Sequence, residues 1–195
     1  LEHIVVSNIM DHLDTHSILT DCQHGFRQRS SCESQLFITT HDLATALNNG
    51  KQVDMAVLDF SKAFDKVPHI RLLDKLRHYG IGGKINNWIR NFLACRKQRV
   101  VVDGVSSSQA NVLSGVPQGS VLGPTLFLVY INDITDGITS KMRLFADDCI
   151  VYQEISTAQD QQSLQEDLDK LHHRSLKWQM AFNVAKCVAM TVTHA

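Results

Sequence analysis

Two adjacent carboxylates interrupt an apolar run and restrict how this part of the chain can fold. Asp147 and Asp148 lie within RLFADDCIVY, residues 143–152, which is otherwise mostly apolar. The interior of a strand excludes two neighbouring charges, because burying an unpaired charge is strongly unfavourable. The run therefore predicts two short strands joined by a hairpin, with the aspartates at or near the turn.

A third carboxylate, Asp59, ends another strand-like segment. The sequence VDMAVLDF, residues 53–60, is mostly apolar, which is typical of a strand buried in the middle of a sheet. If the two strands are neighbours, three carboxylates converge at one end of the sheet, where each raises the pKa of the others. A divalent cation removes that conflict, and oxygen ligands favour magnesium or manganese. Two such ions can activate a hydroxyl and stabilise a leaving pyrophosphate.

Composition and charge exclude several classes of protein. The chain has 195 residues, 44% hydrophobic and 20% charged, which suits one globular domain or most of one. A formal net charge of -1 is no global polyanion-binding signature, yet basic residues greatly outnumber acids between residues 62 and 99. Five cysteines without a CxxC pair argue against a disulfide framework or zinc site and favour an intracellular location. No apolar run approaches the length of a membrane span, so we expect no membrane contact.

Helical and strand periodicities interleave without strict alternation, which favours an α+β class with an antiparallel-rich sheet and helices packed on one face. The sequence Asp103-Gly104 predicts a hairpin turn. A long polar helix is expected from about Thr157 to Met180, followed by a final strand. The apolar stripes of three further helices are predicted at Val6, Ile9, Met10 and Leu13; at Leu36, Thr40, Leu43 and Leu47; and at Ile85, Trp88, Ile89 and Phe92.

Four longer motifs follow one another along the chain: VLDFSKAFDKVPH, GVPQGSVLGPTLFLVYINDI, FADD and FNVAKC. Together they resemble the palm of reverse transcriptases from non-LTR (LINE-type) retrotransposons, in the jockey or chicken-repeat-like branch. Four spaced motifs in this order are far more specific than ADD alone, and the resemblance covers nearly the whole chain. It implies an RNA-directed DNA polymerase that uses two Mg²⁺ ions, with Mn²⁺ able to substitute. Its partners would be an RNA template, a DNA primer and a dNTP.

The resemblance implies roles for the three aspartates and one neighbour. Asp59 would bind both metals, and Phe60 would offer its backbone beside the metal and the triphosphate. Asp147 would be the second metal ligand, and Asp148 a weaker, supporting one. These four residues are the expected metal site, and the three aspartates are the expected catalytic residues.

Other motif residues would contact the incoming nucleotide. Phe64 falls where the family keeps a bulky steric gate against the ribose 2′-hydroxyl, although a core aromatic is the plainer interpretation of that residue alone. Gln118 would touch the nucleotide near its sugar, and Gly119 would let the backbone approach closely. Lys186 would approach the departing pyrophosphate as a proton donor.

A last group of residues would contact nucleic acid. Gly115 would let the backbone approach the template, and Phe145 and Ala146 would lie near the primer terminus. Arg27 belongs to QHGFRQRSS, which resembles the finger motif before the palm, and it would meet nucleic acid or phosphate. The densest part of the basic stretch would contact the duplex backbone without base specificity through Arg96, Lys97 and Arg99.

The resemblance also implies a longer parent protein. Residues 1–52 would be partial fingers and residues 53–195 the palm, with the thumb absent. An upstream endonuclease and a downstream thumb would belong to the same polyprotein, which would act in the nucleus. We therefore expect these residues alone to hold metal but to bind duplex weakly, and to be weak or inactive in synthesis.

Two other functions stay open on the sequence. A catalytically inactive or domesticated element remnant would bind nucleic acid only; the missing fingertip and thumb favour it, and the intact Asp59, Asp147 and Asp148 oppose it. A metal-dependent phosphohydrolase would use the same acids, but it does not explain Phe64 or the loop around Gln118.

Overall fold

The computed structural model describes residues 1–194 and divides the chain into two compact units, each built from two stretches of sequence. The helical unit comprises residues 1–18 and 63–130, and the sheet unit comprises residues 19–62 and the chain from Ile131 onward. The predicted boundary between fingers and palm, at residues 52 and 53, falls inside the sheet unit. That division stays a prediction, and Ala195, its last residue, lies outside the described residues.

The described chain interleaves helices and strands. The helices are α1 (Glu2–Thr15), α2 (Cys32–Asn48), α3 (Ala63–Lys66), α4 (His69–His78), α5 (Gly83–Leu93), α6 (Leu122–Ile131) and α7 (Ala158–Lys177). The strands are β1 (Gln52–Leu58), β2 (Lys97–Gln98), β3 (Val101–Val102), β4 (Val105–Ser106), β5 (Ala110–Asn111), β6 (Lys141–Phe145), β7 (Asp148–Ile155) and β8 (Val188–Val192). A short 3₁₀ helix covers Asn132–Thr135.

The sheet unit is organised around an antiparallel sheet in the order β6-β7-β1-β8, which confirms the α+β class and the central position of β1. On one face, Met55 and Tyr152 pack in a cluster with Ala46 of α2. On the other face, Ala56 of β1 and Leu164 of α7 line one groove together. Helices therefore cover both faces, and the expectation of helices on one face is wrong in this respect. The reason is that β1 carries buried apolar side chains on both sides, so each side needs a cover.

The predicted helices form, but their buried stripes are shifted. The side chain of Leu36 is 63% exposed and that of Ile85 is 40% exposed. The apolar stripes predicted for α2 and α5 are therefore wrong at these two positions. Asn86 is buried instead, because its Nδ2 donates to the carbonyls of Leu73 and Ile81 at 3.0 and 3.2 Å. Such satisfied polar groups are invisible to apolar periodicity. The buried residues of α1 are Val5, Ile9 and Leu13, those of α2 are Gln35, Thr39 and Ala46, and those of α5 are Asn86, Ile89 and Leu93.

The helical unit combines a buried helix with an exposed ribbon. In α6, Leu126 and Phe127 are fully buried. The ribbon of residues 97–111 pairs β2 with β5 and β3 with β4, and all of these strand residues are exposed. Asp103 and Gly104 form its turn with φ of 50° and 79°, which confirms the predicted hairpin. Among residues 1–194, no helix has the length and apolar character to cross a membrane.

A buried carboxylate fixes the entry to β6. One oxygen of Asp167 (Oδ2) accepts hydrogen bonds from the backbone N–H of Thr139 at 2.9 Å and of Ser140 at 2.7 Å, and from both hydroxyls. Lys170 Nζ lies 2.8 Å from the other oxygen. Burial raises the pKa of Asp167, but these hydrogen bonds outweigh it and hold the pKa well below its usual range. The strand that leads to Asp147 therefore begins at a fixed point.

Replacing Asp167 with alanine should lower the free energy of unfolding by roughly 2–4 kcal/mol at neutral pH, because several buried donors lose their acceptor. The folded-state pKa is depressed, so this stabilisation is present above the unfolded pKa and is lost as pH falls below about 4. Urea unfolding from neutral to acidic pH measures both effects. The exposed Asp169 of the same helix is the matched control, and Asp169→Ala should cost less than about 0.5 kcal/mol. Equal losses in the two variants would contradict this account of Asp167.

Candidate active site

Strand register brings the carboxylates to one end of the sheet. Leu58, the last residue of β1, pairs with Cys149 of β7. Asp59 therefore follows directly opposite Asp148, the first residue of β7. Asp147 lies in the turn between β6 and β7. The prediction that Asp59 and Asp147 lie at one end of adjacent strands is confirmed.

The charges at this edge act on one another. Burial raises the pKa of Asp147; its own backbone hydrogen bond opposes this, and the negative charges of Asp148 and Asp59 raise the pKa further. Asp59 has a cationic neighbour, since Lys186 Nζ lies 3.5 Å from its Oδ2. The edge thus has an excess of negative charge that one lysine offsets only in part.

The carboxylates are gathered but do not form a ready coordination shell. Within residues 1–194, no group of three His, Cys, Asp or Glu side chains is spaced to hold a metal ion. Asp59, Asp147 and Asp148 therefore do not stand as a three-carboxylate ligand cluster in this side-chain arrangement. The donor set nevertheless fits magnesium or manganese, because it consists of carboxylate oxygens whose mutual repulsion a cation would relieve. Rotation about the aspartate side-chain bonds changes the carboxylate positions without altering the strand pairing.

The FNVAKC segment is attached to the chain on both sides of Phe60. The backbone N–H of Ser61 donates to the carbonyl of Ala181 at 2.9 Å, and that of Asn183 donates to the carbonyl of Asp59 at 2.8 Å. Phe60 is buried and its ring stacks on Phe182 with centroids 4.4 Å apart. These contacts bring the segment that carries Lys186 to the end of β1. The lysine predicted near the pyrophosphate thus pairs with a predicted metal ligand.

Within the helical unit, the GVPQGS loop is hydrogen-bonded to the segment after β1. The N–H of Gly115 donates to the carbonyl of Val67 and that of Val116 donates to the carbonyl of Phe64, both at 2.8 Å. The ring of Phe64 stacks on the buried Phe127 with centroids 4.3 Å apart. Phe64 is therefore held rigidly from both its backbone and its ring, which suits either a core aromatic or a gate.

Asp65 is the centre of this attachment, although it is not among the residues predicted from the sequence. Gln118 Nε2 donates to its carboxylate at 2.8 Å, and Ser114 Oγ donates to its carbonyl at 2.9 Å. A Cβ on Gly115, whose φ is +91°, would lie 2.7 Å from the carbonyl oxygen of Asp65. The close approach at Gly115 is thus made to Asp65 and not only to a ligand. By contrast, Gly119 has φ of +77° with open space around it.

The residues predicted to contact nucleic acid lie in both units. In the helical unit, the Arg96 guanidinium lies 5.4 Å from the ring centroid of Phe92. Lys97 and Arg99 are exposed on the ribbon. In the sheet unit, Arg27 Nη1 donates to the carbonyl of Thr20 at 3.2 Å, so the arginine braces its own loop. Phe145 pairs with Asp148 at the end of the hairpin, and Ala146 is buried in its turn.

The family of the chain is decided by comparison with known proteins. The family model described as reverse transcriptase (RNA-dependent DNA polymerase) matches residues 1–194. The chain belongs to the reverse transcriptase family. It is 30% identical to the RNA-directed DNA polymerase from mobile element jockey of Drosophila funebris, over 100% of this chain and 22% of that protein. It is 27% identical to the probable RNA-directed DNA polymerase from transposon X-element of Drosophila melanogaster, over 95% of this chain and 21% of that protein. The chain therefore spans about a fifth of the length of these reverse transcriptase relatives.

Solved structures support the same fold. The structure of apo telomerase from Candida tropicalis, truncated from its C-terminal domain, matches with a TM-score of 0.71. The match has 12% sequence identity and covers 99% of this chain and 41% of that chain. At this identity the likeness shows a shared fold and nothing further. The family match and the jockey relatives do not favour the phosphohydrolase or the inactive remnant.

Replacing Gly115 with alanine should detach the GVPQGS loop from Asp65, because the added Cβ meets backbone at 2.7 Å. We expect a loss of roughly 2–4 kcal/mol in the free energy of unfolding, from strain and broken loop contacts. Gly83 is the control: its φ is +56° and a Cβ there meets nothing within 4 Å. Gly83→Ala should therefore cost only about 1–2 kcal/mol, the conformational penalty. Urea unfolding of both variants measures the difference, and equal costs would show that the contact with Asp65 is unimportant.

Proposed function

We propose that this chain is the catalytic region of an RNA-directed DNA polymerase from a non-LTR retrotransposon. It would join a dNTP to the 3′-hydroxyl of a DNA primer on an RNA template. The observation that supports this most directly is the placement of Asp59, Asp147 and Asp148 at one end of adjacent antiparallel strands. The jockey and X-element relatives are named for the same activity.

In this proposal the protein supplies a rigid set of oxygen ligands. Asp59 and Asp147 would hold two Mg²⁺ ions, with Asp148 in support and the backbone of Phe60 beside them; Mn²⁺ would substitute. When bound, the two ions supply activation of the 3′-hydroxyl and stabilisation of the leaving pyrophosphate. A cation at Asp59 would compete with Lys186 for the same carboxylate, 3.5 Å from the ammonium. Lys186 would then be released toward the pyrophosphate as its proton donor.

The nucleotide contacts are proposed from the motifs and from how firmly their residues are held. Phe64, stacked on Phe127, would block the 2′-hydroxyl of a ribonucleotide. A gate has to be rigid to discriminate by steric exclusion, and the stacking supplies that rigidity. Gln118 would contact the nucleotide near its sugar. Gly119 would provide the backbone conformation that this loop requires.

The nucleic-acid contacts are proposed on charge. Arg27, Gly115, Phe145 and Ala146 would lie along the template and primer terminus. Arg96 and two residues at the start of the ribbon, Lys97 and Arg99, would track the duplex backbone. In the described residues none of these three side chains takes part in an ion pair, so their charges are available to phosphate.

The larger assembly is also a proposal. Residues 1–52 would form part of the fingers and residues 53–195 the palm. An endonuclease upstream and a thumb downstream would belong to the parent polyprotein, consistent with relatives about five times as long. Because duplex clamping would depend on those regions, the chain alone would hold metal and extend primers weakly. The polyprotein would act in the nucleus.

The proposed chemistry is tested by Asp147→Asn, which keeps the side-chain volume and removes the charge. Primer extension on an RNA template by a protein restored to the full length of the parent polyprotein, with Mg²⁺ or Mn²⁺, should fall by at least about a hundredfold, because a metal ligand is lost. Asp103→Asn, at the ribbon turn, should leave extension unchanged. Full activity in Asp147→Asn would refute the metal assignment. A full-length protein that binds primer–template but extends it with neither metal would instead support the inactive remnant. Robust processive synthesis by residues 1–195 alone would refute the expected weakness.

The ribbon contact is tested by replacing Arg96, Lys97 and Arg99 together with glutamine. Affinity for an RNA–DNA duplex should fall about equally for all sequences, since phosphate contacts carry no base information. The slope of log affinity against log salt should become shallower by about 0.9 per lost contact, on the scale of duplex DNA. Fluorescence anisotropy over a range of salt measures both. Arg77→Gln, whose native arginine pairs with Asp74 at 2.5 Å, is the control and should leave the slope unchanged. An unchanged slope in the triple variant would exclude this surface.

A further inference from the structure

The residue before Asp147 has an unfavourable backbone conformation. Ala146 has φ of +55°, in the left-handed region that side chains other than glycine rarely adopt. An L-residue is strained in this conformation, so surrounding contacts must hold it. The conformation determines the direction in which the chain leaves toward Asp147. Whatever holds Ala146 therefore sets the position of a proposed metal ligand.

A single side-chain amide bonds to both backbone groups of Ala146. Gln23 Oε1 accepts from the N–H of Ala146 at 2.9 Å, and Gln23 Nε2 donates to its carbonyl at 3.2 Å. The N–H belongs to the peptide plane before Ala146 and the carbonyl to the plane after it. Fixing both planes fixes φ and ψ of Ala146. Gln23 is only 4% exposed, so water does not compete for these bonds.

The backbone around Gln23 is itself attached to β6. The N–H of Leu144 donates to the carbonyl of Cys22, and the N–H of His24 donates to the carbonyl of Leu144, both at 2.8 Å. Gln23 Oε1 also accepts from the N–H of Gly25 at 2.8 Å. A Cβ on Gly25 would lie 2.3 Å from the nitrogen of Ala146. Only glycine at this position allows the QHG segment to come close enough for the Gln23 amide to reach both groups.

We propose that Gln23 is a positioning residue for the active site: it holds Ala146 in the left-handed conformation and thereby places the Asp147 carboxylate for cation binding. This rests on the proposed function, in which Asp147 binds metal. Gln23 does not touch the reacting groups. Its effect passes through one alanine, which makes the inference separable from a general contribution to folding.

Gln23→Met tests the proposal, because methionine fills a similar volume but lacks both the donor and the acceptor. The purified chain is titrated with Mn²⁺, and free ion is measured by electron paramagnetic resonance. The expected result is about tenfold weaker Mn²⁺ binding, comparable to the loss of other residues that orient metal ligands. Hydrogen exchange at the Ala146 N–H, which needs neither metal nor activity, should become faster. Asp147→Asn shows which part of the binding belongs to this site.

The second variant is Ala146→Gly, made in the parent chain and with Gln23→Met. Glycine adopts a positive φ without the steric penalty, so the double variant should recover several-fold of the lost affinity. If Gln23 contributed only to folding, the folded fraction of Gln23→Met would bind Mn²⁺ with the parental affinity, and Ala146→Gly would have nothing to restore. If Gln23→Met proves too unstable, Gln23→Asn keeps an uncharged amide on a side chain one methylene shorter, too short to bond to both backbone groups of Ala146 as Gln23 does, and it should bind Mn²⁺ more weakly than the parent chain.

The outcomes separate the two proposals. Parental Mn²⁺ affinity in a folded Gln23→Met chain, or in Gln23→Asn, would overturn the positioning role while leaving the metal site intact. Absence of Mn²⁺ binding that depends on Asp147 in the parent chain would overturn the proposed metal site and this inference with it. Weaker binding that Ala146→Gly restores would support both.

Discussion

The pairing of β1 with β7 is the constraint on which the proposed active site depends. Its register places Leu58 opposite Cys149. Asp59, which follows Leu58, and Asp148, which precedes Cys149, therefore lie opposite each other at the end of the sheet. A shift of the register by one residue would turn Asp59 or Asp148 to another face, because side chains alternate along a strand. The buried residues of β1 on both faces, such as Met55 and Ala56, oppose such a shift. The apolar core thus fixes the positions of charges that repel one another.

The sequence predicts this edge well because its signals are local and strong. An apolar strand that ends in Asp59, and a hairpin with aspartates at its turn, leave few ways to arrange the sheet. The helix faces are less predictable. Leu36 and Ile85 belong to apolar stripes yet lie exposed, while Asn86 is buried because two carbonyls from other parts of the chain accept its hydrogens. Such pairings depend on tertiary contacts that periodicity does not encode.

Two residues that the sequence did not reveal, Gln23 in the sheet unit and Asp65 in the helical unit, have a common physical character. Gln23 and Asp65 bond to backbone or to a motif side chain far away in sequence, and neither has the charge pattern or spacing of a ligand. The glycines of the two motifs are the sequence feature that comes closest to indicating these contacts. Gly25 and Gly115 each lie where a Cβ would come within 3 Å of another segment's backbone. A glycine in a motif therefore marks a close approach, although the sequence does not identify the partner segment.

Stability and proposed function make opposite demands on the hairpin turn. Like charges at Asp59, Asp147 and Asp148, together with a left-handed Ala146, all disfavour the folded state without a cation. Lys186 offsets part of the charge at Asp59. The remaining costs are offset at a distance from the charges, through the Gln23 amide on one side and the anchored start of β6 at Asp167 on the other. Neither support adds charge at the carboxylates themselves. The repulsion at the sheet edge is therefore retained, and it is available to favour cation binding.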